Sequence, residues 1–122
     1  MAYNSLANTI YVDNFTTPSI DKINCATDTR VALGVATTGG ASDLCYVSQQ
    51  DEIYVIEESS NIIEIIDCTT DTISASIAVS DPFNCAYDSN QDKVYVTQDG
   101  GTSNLYEIDA STSTLTSTTN IG

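Results

Sequence analysis

The chain has 122 residues, with 17 Asp and Glu against 3 Lys and Arg, no His, and a net charge of −14. That length suits one domain, and a hydrophobic content of 41% is enough for a core, which excludes wholesale disorder. The charge argues against nucleic acid and anionic membrane surfaces as partners, since both need clustered cations. The missing histidines remove the commonest general base and metal ligand.

Met1 to Leu6 carry neither a basic region nor an apolar run, so no secretory signal is expected there. No stretch approaches the ~18 apolar residues of a membrane span. Ser and Thr total 31 residues, a composition typical of extracellular, virion-exposed or salt-adapted surfaces.

Three markers recur along the chain, and together they decide the fold. Tyr3, Tyr46 and Tyr87 form one column. Ile10-Tyr11-Val12, Ile53-Tyr54-Val55 and Val94-Tyr95-Val96 form a second at the same spacings, 43 and 41 residues. The third runs Ile23-Asn24-Cys25-Ala26-Thr27-Asp28-Thr29, then Ile66-Asp67-Cys68-Thr69-Thr70-Asp71-Thr72, then Ile108-Asp109-Ala110-Ser111-Thr112-Ser113-Thr114. The first copy opens at Ala2-Tyr3-Asn4-Ser5. In the second copy strands are predicted at 44–48, 53–57, 62–68 and 72–79, separated by clusters of Gln, Asp, Glu, Ser, Asn and Thr. The third copy repeats the pattern and ends on a strand over 115–121. No segment holds a 3.6-residue period between these turns. Ile53-Tyr54-Val55-Ile56 and the Ile62 to Ile66 run are apolar on both faces, as in sheets covered on both sides.

A four-stranded antiparallel sheet repeating every 40 to 45 residues is the signature of a β-propeller blade. Val94-Tyr95-Val96-Thr97-Gln98 resembles the Tyr-Val-Thr-Asn signature of the YVTN β-propeller repeats of surface-layer-like proteins. Asn61 to Ile73 resembles that family's third strand and following turn. The resemblance implies an all-β fold of three blades, about 1–43, 44–83 and 84–122, in one repeat domain spanning 1–122. It implies little about function, because propellers host many.

Propellers close with roughly four to eight blades, so three blades form a partial propeller with two open faces. Completion by oligomerisation is expected: a homodimer giving six blades, or an open array. The expected interface residues are Tyr11, Val12, Tyr95 and Val96, with Ile10 and Val94 beside them.

The cysteines are expected to be free. Cys45 and Cys68 lie two strands apart, roughly 9–10 Å at ~4.8 Å per strand, too far for a bridge. Cys25 and Cys68 belong to neighbouring blades. Cys45 and Cys85 are offset by one residue, which is expected to turn them to opposite faces and keep them apart. Oxygens at Asp13, Asn14 and Asp21, and at Gln98, Asp99 and Asn104, raise a calcium reading. They lack the ordered carboxylates such a loop needs, so turn chemistry is expected and neither metal nor cofactor. Asn24, Asp67 and Asp109 precede a turn in every copy and are expected to serve the blade. No nucleophile–His set exists, and Glu52, Glu57, Glu58, Glu64 and Glu107 fall in no glycosidase-like motif. No catalytic residue is expected.

The leading expectation is a non-enzymatic structural or interaction protein that assembles with itself, exposed on a virion or cell surface. The alternative is a binding module holding a small ligand, glycan or peptide at the propeller axis, near Tyr3, Tyr46 and Tyr87.

Overall fold

A computed structural model describes residues 1–14 and 16–122, with side chains for all of these except 32 and 33. Among the described residues twelve strands, β1 to β12, form three antiparallel four-stranded meanders. The first sheet holds β1 (Ala2–Asn4), β2 (Thr9–Asn14), β3 (Ser19–Asn24) and β4 (Thr29–Ala36). The second holds β5 (Asp43–Val47), β6 (Glu52–Glu57), β7 (Ile62–Asp67) and β8 (Thr72–Ala78). The third holds β9 (Pro82–Asp88), β10 (Lys93–Gln98), β11 (Asn104–Asp109) and β12 (Thr114–Asn120). A 3-10 turn, Glu58–Ser60, separates β6 from β7.

The tyrosine and Asx markers explain why each hairpin forms where it does. The β1–β2, β5–β6 and β9–β10 turns each place Asn8, Asp51 or Asp92 in the left-handed region, with φ of 51°, 55° and 55°. Asn and Asp tolerate that conformation better than other residues with a Cβ. Tyr3, Tyr46 and Tyr87 donate their phenolic protons to the side-chain Oδ1 of these same residues at 3.0, 3.0 and 2.8 Å. The turns also accept a backbone bond from the end of the third strand: Cys25, Cys68 and Ala110 N–H to the carbonyls of Asn8, Asp51 and Asp92. At the next turn Asn24, Asp67 and Asp109 accept backbone N–H groups from two or three residues ahead, as an Asx-turn does. The pairings Thr27–Thr29, Thr70–Thr72 and Thr112–Thr114 then close each hairpin. Each hydroxyl pair flanks a left-handed residue, Asp28, Asp71 or Ser113, at φ 53°.

The sheets stack face to face. β1 lies beside β5, and β5 beside β9, so the first strands converge on one side of the stack. Two cores result. Tyr11 and Ile20 of the first sheet pack on Leu44, Ile53, Val55, Ile66 and Cys68 of the second. Tyr54, Ile56, Ile63 and Ile65 of the second pack on Val94, Val96, Tyr106 and Ile108 of the third. The middle sheet is therefore covered on both faces, and Ile53 to Glu57 are all at 0% exposure. β12, by contrast, is exposed along its length.

Candidate functional site

Side chains alternate between faces along a strand, so each Ile-Tyr-Val tripeptide is split. Tyr11 faces the second sheet and is 1% exposed, while Ile10 and Val12 face outward and are half-buried. Val94 and Val96 face the second sheet at 0% exposure, and Tyr95 alone of its tripeptide faces outward. Of the four expected interface residues, Val12 and Tyr95 lie on free faces. Tyr11 and Val96 are used up inside the chain.

The outward face of the first sheet carries Ile10, Val12 and Ile23, with Met1 and Tyr3 exposed beside them. Their repeat counterparts in the second sheet, Ile53, Val55 and Ile66, are at 0% exposure. The outward face of the third sheet is more polar than the sequence suggested. It presents Asp88, Lys93, Tyr95, Thr97, Leu105 and Glu107, all half-buried. Lys93 Nζ pairs with Glu107 Oε1.

The joint between the first and second sheets shows what such a polar face can meet. Tyr11 Oη donates to Asp71 Oδ1 at 2.9 Å. Lys22 Nζ donates to the same carboxylate at 2.9 Å and to the Cys68 carbonyl at 3.3 Å, 5.3 Å from the Tyr11 ring centroid. Asn4 Nδ2 donates to Asp51 Oδ1 at 2.7 Å. Burial, then the Cys68 thiol and the Asp71 carboxylate, hold the Tyr11 phenol far above its ordinary pKa. Among the described residues the second joint has no equivalent of the Tyr11–Asp71–Lys22 cluster. Ser113 stands where the first joint has Asp71, and the buried Tyr54 hydroxyl has no well-formed partner.

A buried acid pair lies at the other end of the first joint. Glu57 is fully buried, and neither carboxylate oxygen makes a well-formed hydrogen bond among the described residues. Glu64, 6% exposed, accepts from Thr38 N–H and from its hydroxyl at 3.1 and 2.7 Å. The loop between β4 and β5 closes over the pair, and a Cβ on Gly39 would come within 3.2 Å of Glu57 Oε2 and collide with Ser60 Oγ. Burial, then the facing Glu64, pushes Glu57 up to about 8.

Three of the loop residues considered for calcium already hold hydrogen-bond partners. Asp13 Oδ1 accepts from Ala41 N–H, Asp21 from Arg30, and Gln98 Oε1 from the Thr102 hydroxyl and Asn104 N–H. Among the described residues no group of three or more acidic or thiol ligands gathers around one point.

The cysteine geometry corrects one expectation. All four are free thiols, but Cys45 and Cys85 face each other across the second joint. They belong to facing sheets, so a one-residue offset points both into the same gap. The neighbouring Cys45 thiol, burial and the Asp43 carboxylate raise the Cys85 pKa strongly. Cys85 N–H and Sγ both lie on Asp43 Oδ2, at 3.0 and 3.7 Å. Alkylation without reductant is expected to label all four once the chain is unfolded, and Cys85 slowly in the native state, since the thiolate is the reactive form. A Cys45–Cys85 cross-linked peptide in the digest would overturn this.

No protein-family profile and no curated protein matches the chain. Solved structures do. The chain is similar to hydrazine synthase of Kuenenia stuttgartiensis, with a TM-score of 0.88 and 16% identity over 96% of this chain and 34% of that one. It is similar to Sqt1 of Saccharomyces cerevisiae (0.78, 13%, 93% and 31%) and to apo AztD of Citrobacter koseri (0.73, 21%, 91% and 32%). The three sheets are β-propeller blades. The chain spans about a third of the length of these structures. At such identities the likeness carries the blade fold and nothing of the neighbours' activities.

Proposed function

We propose that the chain is a non-enzymatic structural and interaction protein: a YVTN-type blade module that assembles with itself through its two outward blade faces, on the outside of a virion or cell surface. The observation that carries this reading is the outward face of blade 1. Ile10, Val12 and Ile23 stand in columns whose blade 2 counterparts are fully buried against a neighbour. A blade face of this kind fits a standard interface of roughly 800 Å² per partner. The Ser- and Thr-rich acidic composition supports an external setting. The non-enzymatic reading is supported by the lack of His and by the sealing of the Glu57–Glu64 pair beneath the β4–β5 loop. The phenols of Tyr3, Tyr46 and Tyr87 are occupied by their own turns, which favours assembly over an axial ligand site.

The test is mass in solution. Light scattering at micromolar concentration is expected to give twice the 13.0 kDa chain mass, the value for a six-bladed ring of two chains. A species that stays at the single-chain mass up to ~100 μM, where even a weak specific interface would be populated, would overturn the proposal.

A further inference from the structure

The two open faces match each other position by position, and the internal blade 1–blade 2 joint shows how. In that joint the forward face of blade 1 offers Asn4, Tyr11, Ile20 and Lys22. It meets Asp51, Asp71 and the apolar Ile53, Val55 and Ile66 of blade 2. The same columns on the forward face of blade 3 hold Asp88, Tyr95, Leu105 and Glu107. On the outward face of blade 1 the receiving columns hold Asn8, Asp28, Ile10, Val12 and Ile23.

The polar columns are the informative ones. Where the internal joint pairs the Asn4 amide with the Asp51 carboxylate, the ends of the chain carry a carboxylate, Asp88, and an amide, Asn8. Donor and acceptor have changed sides and remain complementary. Each residue keeps in its own turn the hydrogen bonds of its counterpart in the internal joint. Asp88 Oδ1 accepts its own turn's N–H groups, as Asn4 Oδ1 does. Asn8 Oδ1 accepts from the Tyr3 hydroxyl, which leaves its amide protons to donate elsewhere. Where Tyr11 donates to Asp71, the ends carry Tyr95 and Asp28, the latter at the same φ of 53°. Glu107 replaces Lys22, but Lys93 lies against it and brings a cation to this patch.

All three cations lie on blade faces: Lys22 in the internal joint, Lys93 on the forward face of blade 3, and Arg30 on the outward face of blade 1, held by Asp21. In a chain of net charge −14 this placement relieves like-charge repulsion where two copies would meet.

From this we infer that blade 3 docks onto blade 1 of a second copy in the register of the internal blade 1–blade 2 joint, with Asp88 accepting from the Asn8 amide and Tyr95 donating to Asp28. The inference rests on the self-assembly reading and adds to it a partner face, a direction and a register.

The test exploits the exchanged donor and acceptor. Asn8→Asp is compatible with the turn, because Asp51 and Asp92 occupy that position in the other blades. It would set two carboxylates against each other across the joint. Sedimentation equilibrium is expected to show association weakened about tenfold or more, as like-charge juxtaposition at an interface implies. Adding Asp88→Asn recreates the Asn4–Asp51 arrangement with its polarity intact, and the double variant is expected to regain wild-type association. Circular dichroism on both variants confirms the fold. If the wild type associates but Asn8→Asp associates equally well, or if Asp88→Asn fails to rescue it, the register is wrong while self-assembly stands. If the wild type does not associate at all, the self-assembly reading fails and takes the register with it.

Discussion

Ile65→Lys is expected to destabilise the chain by about 3–5 kcal/mol, and adding Ser113→Asp is expected to recover about 1–3 kcal/mol of that loss. Ile65 is at 0% exposure in the joint between blades 2 and 3. Its blade 1 counterpart is Lys22, whose ammonium reaches Asp71 on the neighbouring blade. The second joint has Ser113 in place of that aspartate. A lysine at position 65 would therefore bury a charge without a partner and remove an aliphatic side chain. Leaving one member of a buried pair uncompensated costs about 3–5 kcal/mol, a large part of the ~5–15 kcal/mol that holds a domain together. Ser113→Asp supplies the carboxylate at the same left-handed position, and it also gives the unpartnered Tyr54 hydroxyl an acceptor. Urea unfolding of the two singles and the double makes a thermodynamic cycle, with an expected coupling of about 1–3 kcal/mol. Zero coupling would mean that the two joints are not built on one plan.

That plan was largely legible in the sequence. Tyr3, Tyr46 and Tyr87, and the Asn24, Asp67 and Asp109 column, mark turns whose chemistry is local, and local chemistry leaves its trace in residue type and spacing. What was not legible was which neighbour each side chain meets. The period-two alternation separates Tyr11 from Ile10 and Val12, yet choosing the inward side requires the stacking order of the blades. The same ignorance misplaced the Cys45–Cys85 pair. A one-residue offset separates two thiols on one sheet and joins them on facing sheets. Glu57 and Glu64 were hidden for a different reason. Asn14 and Gln98 occupy the column of Glu57 and Asp21 and Tyr106 that of Glu64, so no repeated acid pair announces itself. Only the β4–β5 loop folding over them makes the pair special.

That acid pair is expected to set the alkaline limit of stability. Glu57 faces Glu64 inside the first joint, and the neighbouring Gly39 backbone and Ser60 hydroxyl only partly offset the cost of its charge. A proton on Glu57 relieves both its burial and its repulsion with Glu64, whose oxygens already hold Thr38. The folded pKa, about 8, lies above the ordinary carboxyl value of 4.5, so the native chain binds a proton that the unfolded chain has released. Stability from this group is fully present below pH 4.5 and is lost as pH rises through about 8, by the linkage between proton binding and folding. Glu52 is shifted the same way by burial and by Asp67 and Asp92, and adds to the loss. Asp67 and Asp109 act in the opposite sense. Hydrogen bonds from the Thr69 and Ser111 hydroxyls, and then from the backbone of the turn, lower their pKa values, so they favour folding above the usual aspartate range and withdraw that support in acid. The melting temperature should therefore rise out of strong acid, peak in the mildly acidic range and fall towards pH 9. Glu57→Gln keeps the shape and removes the charge, and Gln98 already occupies that column in blade 3. The variant is expected to flatten the alkaline fall by on the order of a few kcal/mol across the window while leaving the acid limb in place. A wild type as stable at pH 9 as at pH 6, or a Glu57→Gln variant with an unchanged alkaline slope, would show that Glu57 is charged in the folded chain across this range.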